Sequence, residues 1–435
     1  MAVVTVSGNP VVGAKYSVTT ASSADWTSVS NSTYFFDLTD QLVYYKNSSG
    51  AVVNPFAGGG LTYFTEAQNT TAPNATVPVD SLTAVTGTTN GDFAIIPKGT
   101  GAILAQIPDG TATGGDKRGA NAIDLQTGRT VSTNVASGQY SVVLGYNNKA
   151  TNTGSIAIGL SSYATGLNAI ALGKNAFSTG IASCAIGGDS GTITASGDGS
   201  VAIGGAGTTA SSSGAVAMGS GSASAANSFA MGFSSASGTN SVAMGGQAGG
   251  ANGSSATGNG SFAMGLGCVS DARNSASFGF YTSTKGVAQR LSLGTFSDVA
   301  PYLKGSAQLS LSSSVATTTT NTAVELKGYE GTAINLVLQD NEAIRVKGSI
   351  IGKQTASTNV ASYDFDCVIV RGVGVATTIL PLSNVNLVLD TITLGTIPAL
   401  TANTTLGGLS VKSGAKTTTT IKWSCRIDST EVILA

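Results

Sequence analysis

Acid–base chemistry in this chain would have to come from carboxylates, because its 435 residues include no histidine. That removes imidazole general bases, His-containing metal sites and Ser-His-Asp triads together. Two carboxylate pairs have the form that glycoside hydrolysis uses, an acid and a nucleophile or base flanking one bond. Asp364 and Asp366, within Tyr363-Asp-Phe-Asp-Cys367, alternate along a strand-like run. Strand geometry puts them on one face about 7 Å apart, on the polar side of the strand. Asp189 and Asp198 sit among Gly and Ser, in a region poor in the aromatic platforms that hold sugars, and read as solvated turn residues. No catalytic residue is assigned.

Other chemistries find less support. The four cysteines, Cys184, Cys268, Cys367 and Cys425, lack metal or redox spacing and read as buried thiols of a protein made in a reducing cytosol. No metal and no cofactor is expected. The glycine-rich bursts are not phosphate loops, since none leads into a Lys-Ser/Thr pair and a helix. A formal charge of −1, from 21 basic and 22 acidic residues, gives no electrostatic basis for nucleic-acid binding. Mean hydropathy is high at +0.22. No apolar run approaches the roughly 20 residues of a spanning helix, so membrane insertion is not expected. The opening Met1-Ala-Val-Val-Thr-Val-Ser-Gly-Asn-Pro10 has neither a basic start nor a long apolar run, and does not read as a signal peptide.

The positioning elements are announced by glycine, which supplies 58 residues. From Ser141 to Phe280 a five-residue burst recurs: small, apolar, small, apolar, Gly. Examples are Ser155-Ile-Ala-Ile-Gly159, Ala169-Ile-Ala-Leu-Gly173, Ser200-Val-Ala-Ile-Gly204 and Ser241-Val-Ala-Met-Gly245. The closing glycines are Gly145, Gly159, Gly173, Gly187, Gly204, Gly219, Gly232, Gly245, Gly265 and Gly279, most often 14 residues apart. A 14-residue period suits one coil of a β-solenoid, two short strands and two tight turns. The final Gly supplies the positive φ of a sharp turn. Segments such as Tyr163-Ala-Thr-Gly166 and Phe177-Ser-Thr-Gly180 read as return strands.

Met218, Met231, Met244 and Met264 share the apolar slot before Gly with Leu144, Ile158, Leu172, Ile186 and Ile203, so core packing is their expected role. Tyr163 and Phe177 lie 14 residues apart and should stack on the outer surface, as an intersubunit contact or a surface glycan contact. Each coil brings only two large side chains, too little to offset its own ordering entropy, and stacking leaves one lateral apolar face open. Three chains side by side would cover it, which gives the expectation of a parallel homotrimer.

The Ser-x-Ala-Ile-Gly bursts, with Ala-x-Gly segments between them, resemble the head repeats of trimeric autotransporter adhesins over about 140 residues. That resemblance implies a trimeric left-handed parallel β-roll. A signal peptide, coiled-coil stalk and membrane-barrel segment of that family are not read in this chain, which points to release by lysis as part of a virus particle. Three shorter stretches resemble tailed-phage fibres: Gly114–Gln126 with Val135-Ala-Ser-Gly138, Thr420–Val432, and Tyr34–Leu38 through Val43–Gly50.

The expected architecture is all-β: a trimeric left-handed parallel β-roll of 14-residue repeats between an N-terminal β module and a C-terminal antiparallel β-sandwich. Residues 1–58 form an aromatic-rich attachment module closed by Gly58-Gly-Gly60, and 59–134 an extended collar. Residues 135–285 form the roll, 286–326 a Ser/Thr-rich connector and 327–435 the sandwich, with strands at Ala343–Ile351, Tyr363–Val370 and Asn386–Leu394. The expected role is that of a non-enzymatic bacteriophage fibre on the virion, made in the host cytoplasm. Its N-terminal region would join other virion proteins, and the remainder would bind host surface glycan or protein with avidity from multiple copies. A capsid decoration fibre, a glycan-degrading tail spike and a cellular trimeric adhesin are the alternatives.

Overall fold

In the computed structural model the glycine-closed bursts are the strands of one long parallel sheet. The structure describes residues 4–6, 9–11, 31, 33–37, 42–53, 64–71, 79–84, 90, 92–188, 191–246, 253–295, 307–327 and 336–433. They fall into two units, Met1–Ile96 and Pro97–Ala435. The first holds short antiparallel pairings: Val4–Val6 with Asn9–Val11, Thr33–Asp37 with Leu42–Lys46, and Phe64–Asn69 with Val79–Ala84. Trp26, Phe56 and the Gly58–Gly60 stretch lie outside the described residues.

The second unit carries a parallel β-solenoid of about eleven turns of roughly 14 residues. Its main sheet runs from Ile123–Gly128 through Val142–Tyr146, Ile156–Leu160 and Ile170–Lys174 to Leu291–Thr295. A second sheet of nine two- or three-residue strands, Lys149–Ala150 to Val269–Ser270, forms the opposite wall. Identical slots pair in register: Ile156 with Ile170, Ala157 with Ala171, Gly159 with Gly173. The closing glycines all have positive φ, from 75° to 142°.

Pleating sends the central small residue of each burst inward. Ala157, Ala171, Ala185, Ala202, Ala217, Ala230, Ala243 and Ala263 are fully buried, facing Ala164, Ala195, Ala210, Ala223, Ala236 and Ala256 of the other wall. The solenoid interior is therefore a thin core made mainly of alanine, with Val143, Ile193 and Cys268 the larger buried members. Side chains close the corners. Asn148, Ser162 and Ser254 each donate 2.7 Å hydrogen bonds to the carbonyl of the closing glycine eleven residues ahead, and Cys268 Sγ does the same at 3.1 Å. Ser141, Ser155, Ser183, Ser228 and Ser275 donate to the carbonyl three residues back, at 2.6–2.7 Å. These contacts satisfy turn carbonyls that a thin core would otherwise leave unpaired.

The methionines do not pack in the core. Met218 and Met244 are half-buried, while Met231 and Met264 are 36% and 41% exposed. The reason is strand alternation: with Ala inside, both flanking positions of the burst must point out.

The parallel stack extends beyond 135–285 at both ends. Ile123–Gly128 pairs with Val142–Tyr146 upstream, and Leu291–Thr295 pairs with Ala276–Phe280 downstream. Within the stretch read as a Ser/Thr-rich connector, Ala307–Thr318 is a twelve-residue strand, antiparallel to both Leu291–Thr295 and Ile421–Ile433. Its Gln308-Leu-Ser-Leu311 alternation carries the strand signal.

The C-terminal part is antiparallel, in the order Ala307–Thr318, Ile421–Ile433, Glu342–Gln354, Val360–Arg371, Ile379–Asp390. A three-stranded sheet of Leu336–Val337, Gly408–Lys412 and Ala399–Asn403 contributes to the same core. Ile344, Tyr363, Phe365, Ile421, Trp423 and Ile427 fill it. The edge strand of that order begins at Ile379 and ends at Asp390, in place of Asn386–Leu394. Pro381 is tolerated because this strand lies at the sheet edge beside a register shift. Asp390 ends it by accepting from the amides of Thr393 and Leu394 at 2.7 and 3.0 Å.

Candidate interaction faces

Two columns of large apolar side chains run up the outside of the main sheet. One contains Val142, Ile156, Ile170, Cys184, Val201, Val216, Phe229, Val242 and Phe262; the other contains Leu144, Ile158, Leu172, Ile186, Ile203 and the four methionines. Every member is half-buried or exposed. Near its far end the stripe opens into an apolar groove of about 750 Å³ lined by Met231, Met244, Met264 and Leu266. Fully burying one such side chain stabilises by about 1.5–3 kcal/mol, far more than an alanine methyl contributes. The larger reservoir of hydrophobic stabilisation thus sits on the outside of the coil.

The opposite wall presents a different surface. Tyr163 and Phe177 pair in register, one coil apart, with ring centroids at 5.1 Å and planes at 79°. Asn134 Nδ2 lies 3.4 Å from the Tyr163 hydroxyl. Edge-to-face packing brings the edge of one ring onto the face of the other. The column continues as Thr194, Thr209, Ser222, Ser235 and Ser255, a ladder of hydroxyls.

The described pair, Asp364 and Asp366, lacks the geometry of an acid–base site. Asp364 and Asp366 both lie on the outward face of Val360–Arg371. Asp366 binds Arg345 at 2.8 Å and has Lys347 at 4.0 Å, and the Arg345 hydrogen bond holds its carboxyl below the usual value. A general acid needs the opposite shift. Asp198 Oδ1 accepts from the Ile181 amide at 2.9 Å and so braces a turn. Asp189 lies outside the described residues. Among the described residues no group of three or more metal-ligating side chains occurs. Among the same described residues no helix is long and apolar enough to cross a membrane.

Three segments, residues 136–162, 164–190 and 236–248, match the family description "YadA head domain repeat". The shaft repeats are similar to that family. No curated protein matches the chain. Among solved structures, the tailspike protein gp49 of Acinetobacter baumannii bacteriophage Fri1, a capsular polysaccharide depolymerase, is similar over 85% of this chain and 75% of that one. The identity is 10% and the TM-score 0.22.

What the sequence reading missed is the set of side chains that bond the carbonyls of the closing glycines. The residues that bond the closing glycines (Asn148, Ser162, Thr208, Ser254, Cys268) differ in type, so no single-letter pattern marks them. Their constant offset of eleven residues from the next closing Gly was the available signal.

Proposed function

We propose that this chain is the fibre protein of a bacterial virus, assembled as a parallel homotrimer and serving adsorption to the host surface. The observation that supports this is the inversion of the shaft: alanines inside each coil, two columns of Val, Ile, Leu, Phe and Met outside. A stripe of that length on a single chain calls for apolar partners along its whole height. Parallel copies of the same chain supply them at the same spacing, coil against coil. The YadA-head likeness of the repeats supports an adhesin-like fibre, and the short phage-fibre resemblances read in the sequence of the flanks support a virion. The N-terminal unit would hold the particle, and the C-terminal sheet would meet the host.

Antibody raised against the purified chain should label appendages of virus particles released from the lysed host, as seen by electron microscopy. Purified protein added in excess should slow adsorption of those particles. Unlabelled particles whose adsorption is unaffected would contradict the proposal.

A further inference from the structure

Lys353 and Lys422 stand directly opposite each other on adjacent antiparallel strands, Glu342–Gln354 and Ile421–Ile433, and both are exposed. Facing residues of such a ladder have Cα atoms about 4.5–5.5 Å apart, and like charges there repel. Nothing within the described residues offsets this repulsion, since neither lysine takes part in an ion pair. The acids of the same sheet face are spent elsewhere. Asp366 holds Arg345 and Lys347, and Asp428 holds Arg426 at 3.0 Å. Asp364 is paired opposite Ser349, four residues and roughly 13 Å back along the strand from Lys353.

Lys353 and Lys422 line an open concavity of about 790 Å³ together with Gln354, Thr355, Ala356, Ser357 and Thr358. The loop is built rather than loose. The Gln354 amide donates to Asn359 O at 3.1 Å, the Thr355 amide to Thr420 O at 2.9 Å, and Asn359 Nδ2 to Gln354 Oε1 at 3.2 Å. Its lining offers two cations, three hydroxyls and an amide, with no aromatic ring and no large apolar side chain.

Its position also matters. Strand Glu342–Gln354 starts where Glu342 binds Lys285 of the solenoid's last turns, and Lys353 lies eleven residues further on, roughly 36 Å away. The concavity is thus at the end of the sheet remote from the shaft.

We propose that this concavity binds an anionic saccharide, its carboxylate or phosphate held between Lys353 and Lys422 and its hydroxyls by the Thr/Ser/Gln rim. The proposal deepens the adsorption reading and rests on it for its biological meaning. Binding of full-length protein to three immobilised polymers tests it: polygalacturonate for carboxylate, poly(ribitol phosphate) for phosphate, and dextran as the neutral reference. At least one anionic polymer should bind about tenfold or more tighter than dextran and release as salt rises. Lys353→Ala with Lys422→Ala should weaken that binding about tenfold, Lys353→Arg with Lys422→Arg should retain it, and Lys347→Ala should leave it unchanged. Which anionic polymer binds assigns the source of the charge. Equal binding to dextran, or a double alanine variant that binds like the wild type, would overturn the site. Host-cell adsorption that survives the double variant sinks only the lysine site, whereas a wild-type protein that fails to adsorb sinks the parent reading.

Discussion

Lys285 Nζ lies 2.7 Å from Glu431 Oε2, and this ion pair ties the last turns of the solenoid to the final strand of the C-terminal sheet. Lys285 also binds Glu342, and Arg290 binds Glu431. All four side chains are buried. Among the described residues the cluster joins two cations to two carboxylates, and breaking it in part is costly. Glu431→Gln removes a buried carboxylate that both Arg290 and Lys285 bind. The expected loss is about 3–5 kcal/mol, read from denaturant unfolding of the C-terminal part. A loss under about 1 kcal/mol would show that the cluster does not hold the joint.

Glu342 gives the joint a pH dependence. Burial pushes its carboxyl up, more strongly than Lys285 and the Gln339 amide pull it down. The folded state therefore takes up its proton more readily than the unfolded state. Stability from this group is greatest below its ordinary value of 4.5 and declines as pH rises through the raised native value. Thermal melts of wild type should fall across that window, and Glu342→Gln should flatten the fall. A wild-type profile that rises there would contradict the assignment.

Two opposite backbone changes probe the turns. Gly159 has φ of 127°, and a Cβ there would meet the Gly173 carbonyl oxygen at 1.9 Å. Gly159→Ala should destabilise by at least about 3 kcal/mol, since both the φ region and the contact exclude it. Ala182 has φ of 53° in a turn slot that holds Asn168, Asn227, Asn240 and Asn274 in other coils. Ala182→Gly should stabilise by about 1 kcal/mol, because the left-handed strain of alanine disappears. Equal melting points for the two variants would refute the turn geometry.

These turns mark what was legible in the sequence. Period, strand positions and closing glycines follow from the bursts, because one residue in each coil must be Gly and one must be small. The direction of the alternation was not fully drawn. Methionine before Gly looks like core until Ala157 and its equivalents are recognised as the inward-facing slot of each burst. The strand Ala307–Thr318 was hidden by its serines and threonines, which suit strands and loops alike. The Lys353–Lys422 pair was illegible for a different reason: 69 residues separate partners that only the antiparallel register brings together.

Thiol chemistry separates inside from outside. Burial, with the Asp366 charge beside it, pushes the Cys367 thiol up to about 12. It should stay unreactive toward an alkylating reagent at pH 8 until the protein unfolds. Cys184 sits in the outward apolar column between Ile170 and Val201 and is half-buried. It should label in separated copies and be protected when copies associate. Ile158→Asp with Leu172→Asp, which places charge in the neighbouring column, should expose it without unfolding the coil. Rapid labelling of Cys184 in the wild-type assembly would count against a covered stripe.

Sedimentation equilibrium of the full-length protein is the most direct test of the central claim that the outer stripe is buried between copies. One chain weighs 42.9 kDa. The expected result is a single species near three times that mass, which the Ile158→Asp, Leu172→Asp variant converts to the mass of one chain. A stable wild-type species at the mass of one chain, its stripe open to water, would contradict the claim.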